Sequence, residues 1–428
     1  MQRRKESTKI LCGLCLKSSL LCVKHFSLAY FCLMQNTASK GIFTTQFWLL
    51  GLSSFLFSSS FNMLIPELPS YLTAMGGEEY KGYIIGLFTL TAGLSRPFSG
   101  RLTDRIGRVP VMAVGSIVCF ICGFLYPVFI TVLPFLLLRL VHGFSTGFKP
   151  TGTSAYVADI VPADRRGEAM GIHGMCMGVG SAFGPAVSSM IRQSFSLNVL
   201  FYTSSAFALI SIIILFNMRE TLKVKEPLSI KAFQITWRDI FEPNVLNPAL
   251  ITFLAYFGFG AVATLVPDFS DYLGLENRGA YFMVFTLFSI IIRLLAGKIS
   301  DRHGRIPVTI AGCSVLILSM VVTGYANSVT LFLTGAALFG MAMGVLSPVL
   351  SAWTVDLSSD DNRGGALATM YLSMEASIGL GALLSAELFA NKMANLPFVF
   401  LCMAGFAGAA LIYTIFIQQY KKHSNRVI

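Results

Sequence analysis

The sequence is poor in charged residues. Asp, Glu, Lys and Arg make up only 12% of its 428 residues, about half of the roughly 25% that is usual in soluble domains. Hydrophobic residues make up 54%, and the mean hydropathy is +0.69. Because no stretch is polar enough to form a separate soluble domain, the composition indicates an integral membrane protein.

Sequence motifs of several other functions are missing as well. There is no G-x-x-x-x-G-K-[ST] loop to bind nucleotide phosphates, which argues against an ATP-driven pump, and no H-E-x-x-H motif of zinc proteases. Cys12/Cys15 and Cys119/Cys122 have a C-x-x-C spacing. The second pair lies in an apolar run without His partners, so we interpret it as core packing. We expect no metal, no cofactor and no enzymatic activity.

Twelve long apolar runs take up most of the chain. A helix needs roughly 20 apolar residues to cross a hydrocarbon core about 30 Å thick, and these runs are too long and too unalternating for barrel strands. The sequence therefore predicts an all-α integral membrane protein with twelve transmembrane helices. The runs are 44–66, 82–100, 110–130, 132–157, 167–191, 196–218, 246–268, 279–297, 306–326, 329–355, 364–388 and 396–419.

Two segments half a chain apart are closely similar. GRLTDRIGRVP begins at Gly100 and GKISDRHGRIP at Gly297, so Asp104 and Asp301 are 197 residues apart. Such a repeat predicts two pseudo-symmetric six-helix bundles, an arrangement typical of transporters. The same offset joins, without a gap, Arg96 to Arg293, Gly147 to Gly344, Asp159 to Asp356 and Arg166 to Arg363.

The repeat also predicts how the chain is divided. A bundle at 44–218 and a bundle at 246–420 are joined by a linker at 219–245, with tails at 1–43 and 421–428. Within the linker, Trp237 and Phe241 are typical of a short amphipathic segment at the membrane surface.

The first 33 residues do not match the repeat. Their short apolar stretch is interrupted by Lys17 and Lys24, so it fits neither a membrane span nor a signal peptide. Our hypothesis is that translation begins at Met34, the upstream stretch being untranslated or a disordered tail.

Basic residues are distributed unevenly over the connecting segments. With both termini inside, the outer loops hold only Lys81, Arg192, Arg278 and Lys392, whereas the inner segments are rich in Arg and Lys. This asymmetry predicts a multi-pass protein of the plasma (inner) membrane with both termini cytoplasmic. The net charge of +11 is thereby explained by topology, and no nucleic-acid partner is expected.

The repeated segment has the residues of a tight inner loop. Gly100 and Gly107 permit close approach and positive φ. Asp104 can accept hydrogen bonds from the exposed N–H groups at a neighbouring helix N-terminus. The arginines of the segment can pair with Asp159 and Asp356, which end the fourth and tenth runs. Pairs that form in only one state would bias a conformational equilibrium.

This segment resembles motif A of the major facilitator superfamily, G-x-x-x-D-R-x-G-R-R/K. The resemblance implies a gate latch in which Asp104 and the arginines stabilise the outward-open state. Val109 and Ile306 replace the usual final basic residue. Anchoring of topology by the arginines alone is the alternative, but it does not explain the twin aspartates. The matching residues are Gly100, Asp104, Arg105, Gly107 and Arg108, and Gly297, Asp301, Arg302, Gly304 and Arg305.

Two further stretches resemble motifs of the same family. Arg139 to Gly143 is similar to motif B, R-x-x-Q-G, with His142 in place of glutamine. Gly180, Gly184 and Pro185 match motif C of its proton-coupled antiporters, G-x-x-x-G-P. The second resemblance implies export rather than uptake.

Few ionisable residues fall inside the predicted spans. Glu375 is the only acid well inside an apolar run, and the repeat aligns it with Gly178, so symmetry does not require it. An intramembrane acid of this kind is a candidate proton carrier, with a structural hydrogen bond as the alternative. We interpret Arg96 and Arg293 as structural cations that snorkel towards the inner surface.

Arg139 and Lys149 are ten residues apart, close to three helical turns, so both can face one cavity. There they would favour an anionic ligand or act as counter-charges to Glu375, while snorkelling is the alternative for Lys149. Glu67 and Asp268 occupy matching outer helix ends, where we expect solvated acids, with burial as the alternative.

Together these features predict a secondary transporter. We expect a monomer in the lipid bilayer that exports a small drug-like molecule or metabolite by alternating access, coupled to protons. Proton-coupled uptake of a sugar, organic acid or peptide is one alternative. A non-transporting receptor or an intramembrane enzyme is another.

Overall fold

Long helices follow one another along the chain in the computed structural model, which describes residues 44–161, 166–222, 241–358 and 363–427. Met34 and the linker segment around Trp237 lie outside the described residues. By their contacts, residues 49–428 form one unit, and the packing below lies within it. The long helices are α1 Thr45–Asn62, α2 Lys81–Arg105, α3 Arg108–Leu125, α4 Val132–Ile160, α5 Arg166–Ser194, α6 Leu197–Phe216, α7 Leu246–Tyr272, α8 Ala280–His303, α9 Arg305–Gly324, α10 Val329–Leu357, α11 Arg363–Phe389 and α12 Leu396–Val427.

Shorter helices lie in the connections. An α-helical segment, Leu68–Ala74, follows α1, and 3-10 turns at Glu78–Tyr80, Pro243–Val245 and Met393–Asn395 precede α2, α7 and α12. We refer to residues 44–222 as the first half and to residues 241–427 as the second half.

Each predicted apolar run coincides with one long helix. In the described part of the chain, eight helices are long and apolar enough to cross a membrane, and α8 contains a shorter apolar stretch, Ala280–Arg293. The all-α class is confirmed, while the count of twelve spans stays a prediction. Helices α2 and α4, which are not among the eight, carry Arg96, Arg139 and Lys149 in their interiors.

Glycines with positive φ make the turns between α2 and α3 and between α8 and α9. Gly107 has φ +136° and Gly304 has φ +88°, a region that other residues seldom adopt. Helices α2 and α8 continue through Asp104 and Asp301, so these acids lie on last helical turns rather than in a loop. The expectation of positive φ at Gly100 was wrong, because Gly100 lies inside α2.

The repeat in the sequence is also a repeat in packing. In the first half, α2 packs on α4, and a methyl group added at Gly147 would lie 2.8 Å from the carbonyl oxygen of Ala92. In the second half, α8 packs on α10, and one added at Gly344 would lie 2.7 Å from the carbonyl oxygen of Ser289. Both contacts need a residue without a side chain.

The two halves meet mainly along two helix pairs, α2 with α11 and α5 with α8. We call the end with Asp104 and Asp301 the motif end, and the other the opposite end. On α2, a Cβ added at Gly82 would lie 2.7 Å from Ala382 O, whereas one at Gly100 would meet nothing within 4 Å. The pair α2/α11 is therefore closely packed towards the opposite end and open at the motif end.

Helices α5 and α8 are likewise packed closely towards the opposite end and more openly towards the motif end. A Cβ added at Gly279, just before α8, would overlap the carbonyl of Pro185, and one at Gly178 would lie 3.5 Å from Ile290. Added at Gly171 or Gly174, nearer the motif end, it would meet nothing within 4 Å. A space between the halves thus widens towards the motif end.

Candidate functional site

At the motif end, each half contains the same pair of side chains. Arg108 Nε lies 2.9 Å from Asp159 Oδ2, where the start of α3 meets the end of α4. The repeat equivalent, Arg305 Nε, lies 2.7 Å from Asp356 Oδ2. The second arginine of each motif therefore pairs with the acid that ends α4 or α10.

The motif aspartates are largely exposed. Asp104, with 73% of its side chain exposed, lies 3.3 Å from Arg108, and Asp301, with 68% exposed, lies 2.5 Å from Arg305. Each pair is local, joining residues four positions apart at the turn between two consecutive helices. Two further motif cations lie beside them, the half-buried Arg105 and the exposed Arg302.

The free N–H groups at the start of α3 are bound by Glu220, which follows α6. Its Oε1 accepts from the backbone N–H of Arg108 at 3.0 Å, and its Oε2 accepts from that of Val109 at 3.1 Å. A carboxylate there also meets the positive end of the helix dipole. This role was predicted for Asp104, and it was not predicted for Glu220. The available signal was an acid close behind the sixth apolar run.

At the opposite end, five charged residues form what we call the opposite-end clamp. Glu67, whose side chain is 1% exposed, accepts hydrogen bonds from Arg192 of α5 and, at 2.9 Å, from Arg278 of the second half. Lys81 Nζ, at the start of α2, lies 2.6 Å from Asp268 Oδ2 on α7. Glu67 is buried and the side chain of Asp268 is only 12% exposed. The expectation of solvated helix ends was wrong, because each acid is covered by a cation from the other half, and Glu67 by Arg192 as well.

Arg278 also bonds two residues beside this clamp. It bonds both carboxylate oxygens of Asp271, at 2.5 and 2.6 Å, and Ser70 Oγ at 2.8 Å. Burial lowers the pKa of Arg278, but its hydrogen bonds to Asp271 and Glu67 outweigh this effect and raise the pKa. Arg278 therefore keeps its charge throughout the physiological pH range.

Deeper between the halves, Arg96 of α2 and Glu375 of α11 form an ion pair. Arg96 Nη2 lies 2.5 Å from Glu375 Oε1, and the two side chains are 15% and 9% exposed. The guanidinium also lies 4.9 Å from the ring centroid of Tyr371, one turn earlier on α11. Arg96 does not snorkel to the surface as expected, because a carboxylate of the other half holds it inside.

Arg139 contributes to packing within the first half. Its Nε donates to Ile84 O at 2.9 Å and its Nη1 to Tyr126 Oη at 3.2 Å, while the guanidinium lies 4.5 Å from the ring centroid of Phe88. His142 Nδ1 lies 2.9 Å from the same Tyr126 hydroxyl. These contacts join α2, α3 and α4 around one buried cation.

Lys149 is held in the first half by other helices. Its Nζ donates to Ser53 O at 3.1 Å, to Ser53 Oγ at 2.9 Å and to Ser211 Oγ, on α1 and α6. The side chain is 1% exposed, so it does not snorkel. The proposed pairing of Arg139 and Lys149 with Glu375 was wrong. Hydroxyl and carbonyl groups of neighbouring helices satisfy both cations, and Arg96 is the counter-charge of Glu375.

The motif C-like glycines of α5 pack against α1. A Cβ at Gly180 would lie 2.5 Å from Phe55 O, and one at Gly184 would lie 2.6 Å from Ser59 O. Pro185 lies inside α5, close to Gly279 of the other half. The small residues of this motif therefore allow α5 to approach α1 closely.

Residues 143–147, GFSTG, match the G-x-S-x-G pattern of serine hydrolases. That pattern functions on a sharp strand-to-helix turn, where the serine is exposed. Here Ser145 is fully buried in the interior of α4, so it presents no nucleophile.

Apolar helices long enough to span a bilayer, a two-fold repeat and charged residues meeting between the repeats define a multi-pass membrane transporter. The family model of the Major Facilitator Superfamily matches residues 50–322 and 249–427. The chain belongs to this superfamily, and it is a transporter rather than an enzyme.

Individual relatives agree with this assignment. Multidrug resistance protein 2 of Bacillus subtilis is 27% identical over 362 residues, which are 80% of this chain and 88% of the relative. The staphylopine export protein of Staphylococcus aureus is 23% identical over 320 residues, 71% of this chain and 79% of the relative. The crystal structure of a D-xylose–proton symporter covers 87% of this chain and 97% of its own, with a TM-score of 0.73 and 17% identity, which shows the shared fold.

Proposed function

We propose that the protein exports a small drug-like molecule or metabolite across the plasma (inner) membrane in exchange for protons. Two relatives are named for drug resistance or export, and the glycine face of α5 resembles that of antiporters. The observation that carries the proposal is the buried Arg96–Glu375 pair, because it joins the halves at the depth where a substrate would bind.

A proton can act directly on this pair. With Glu375 ionised, the carboxylate and the guanidinium neutralise each other, and separating them leaves two uncompensated buried charges, at a cost of several kcal/mol. Protonation of Glu375 removes one charge and weakens the attachment of α2 to α11. Proton uptake therefore lowers the barrier to moving one half against the other.

The charged pairs at the two ends fit alternating access. The opposite-end clamp holds that end closed, while the motif end is open. With both termini cytoplasmic, as the positive-inside rule predicts, this state faces the cytoplasm and admits substrate from it. In the opposite state the motif end closes. The pairs of Arg108 with Asp159 and of Arg305 with Asp356 already exist within each half, so the latch would depend on the exposed Asp104 and Asp301.

Transport in vesicles of defined orientation tests this function. A thermal-shift screen of metabolites and antibiotics on the purified protein first supplies a ligand. Its flux is then measured in right-side-out and inverted vesicles with an imposed pH gradient. Export predicts proton-driven accumulation in inverted vesicles only. Accumulation in right-side-out vesicles would establish uptake, and flux independent of the gradient would contradict proton coupling.

A further inference from the structure

We infer that the space beside Arg293 on α8 binds the anionic group of the transported molecule, so that the substrate is an amphipathic organic anion. The inference rests on the proposed transport function and names its substrate class. It places the anion in the second half, away from Arg139 and Lys149.

Arg293 is a half-buried cation without a counter-charge in the described part of the chain. It lies near the middle of α8, its Nε is buried without a hydrogen-bond partner, and its Nη2 reaches Ser347 Oγ at 3.5 Å. A guanidinium at membrane depth is costly unless it faces a cavity or a partner. Arg293 therefore has unused hydrogen-bonding capacity beside Ser347 of α10.

The repeat shows what is missing from this site. Arg96 is the equivalent of Arg293 in the first half, and its partners on α11 are Tyr371 and Glu375. The equivalents of these two residues on α5 are Gly174 and Gly178.

The contact of α2 with α11 is also equivalent to the contact of α8 with α5. A Cβ at Gly93 would lie 3.2 Å from Glu375 Cβ, and a Cβ at Gly178 would lie 3.5 Å from Ile290, the repeat equivalent of Gly93. A Cβ at Gly174 would meet nothing within 4 Å. Where α11 presents an aromatic ring and a carboxylate to the first arginine, the equivalent positions of α5 carry no side chain, and a substrate carboxylate can supply the missing charge.

A narrow crevice beside this site has a lining of hydroxyl groups and apolar side chains that suits an amphipathic molecule once the crevice widens. The crevice lies between α7, α10 and α11, and the Tyr256 hydroxyl interacts there with Ser347, the residue that Arg293 contacts. Met370, Met374 and Leu350 offer apolar surface. Methionine adapts to irregular apolar shapes, and guanidinium binds carboxylates in a planar two-bond geometry.

A cationic substrate fits this space less well. Glu375 follows Met374 of the crevice lining in the sequence, and Arg96 already neutralises it. A second cation would then add to the charge of Arg293. An organic anion, in contrast, would complete the pattern seen at Arg96.

Binding of three matched probes to the purified full-length protein tests the site without a proton gradient. Naphthalene-acetate, naphthalene-acetamide and naphthyl-ethylamine share one aromatic body and carry negative, zero and positive charge. We expect the acetate to bind at least tenfold more tightly than the other two in titration calorimetry. Equal or tighter binding of the amide or the amine would overturn the inference.

Two variants identify the residues responsible. Arg293→Gln removes the cation, and Gly178→Glu supplies the acid that the repeat lacks, at a position where a Cβ makes an ordinary contact. Each should weaken binding of the acetate at least tenfold, while exposed Lys392→Gln should leave it unchanged. Unchanged binding in a folded Gly178→Glu protein would overturn the inference even where Arg293→Gln fails to fold.

The two proposals fail separately. Because the binding measurement uses no gradient, loss of anion preference would contradict this site and leave proton coupling intact. Flux that ignores the pH gradient would contradict coupling and leave the anion site intact.

Discussion

Arg96 and Glu375 are 279 positions apart in the sequence, and their side chains meet at 2.5 Å. One lies on α2 and the other on α11, so the bond exists only while these helices of the two halves are packed together. Each charge is buried and makes the burial of the other tolerable. The pair is therefore a structural link between the halves and, in the proposed function, the group on which the proton acts.

Replacing Glu375 by glutamine should abolish the dependence of flux on the pH gradient. Glutamine keeps a hydrogen bond to Arg96 but cannot take up a proton. Flux down a substrate gradient should persist within a few-fold. The measurement is transport in proteoliposomes with and without a pH gradient, and Glu387→Gln, at an exposed position of α11, is the matched control. An unchanged response would assign Glu375 to structure alone.

Asp104→Asn should reduce transport several-fold without loss of membrane insertion. Its carboxylate is exposed in the present state, and a surface ion pair contributes only about 0–1 kcal/mol, so Tm should hardly change. The loss would then arise in the state in which the motif end is closed. Normal flux in this variant would remove the latch hypothesis.

Opening of the clamp should favour the state that is open at the opposite end. In Arg278→Gln, Glu67 loses one of its two cations and with it its ion pair to the second half. Spin labels at Gln193→Cys and Glu276→Cys, where Gln193 Nε2 lies 2.6 Å from Glu276 O, should show a longer distance. Lys392→Gln, which removes an exposed cation of the same end, should not. An unchanged distance distribution in Arg278→Gln would mean that other contacts hold this end closed.

Arg139→Gln should lower stability rather than proton coupling. The carbonyl of Ile84 and the hydroxyl of Tyr126 lose a buried charged donor, and unsatisfied buried groups cost about 1–3 kcal/mol each. The Tm in detergent should fall while the remaining flux still responds to the pH gradient. An unchanged Tm with lost coupling would make Arg139 a transport residue.

Much of this molecule could be predicted from local patterns. The apolar runs predicted every long helix because length and hydropathy depend on neighbouring residues only. The offset of 197 residues between Asp104 and Asp301 predicted equivalent turns, and Gly107 and Gly304 make them. The repeat also predicted that the motif arginines pair with Asp159 and Asp356, as Arg108 and Arg305 do.

The charges were harder to place. Arg96 was interpreted as a snorkelling cation, and Glu67 as a solvated acid, because the partner of each lies far away along the chain. Glu220 was overlooked since an acid after an apolar run does not reveal which helix end it will reach. Lys149 was predicted to face a cavity, but its ammonium group donates hydrogen bonds to Ser53 of α1 and Ser211 of α6.

By itself, the sequence determined that the protein is a helical membrane protein with an internal repeat, since hydropathy and periodicity are properties of the chain alone. Which of the described charges neutralise one another, and that Arg293 has no carboxylate partner among the described residues, was decided only by tertiary structure. The physical reason is that electrostatic energy falls with distance in space, and helix packing sets those distances between residues that are remote in sequence.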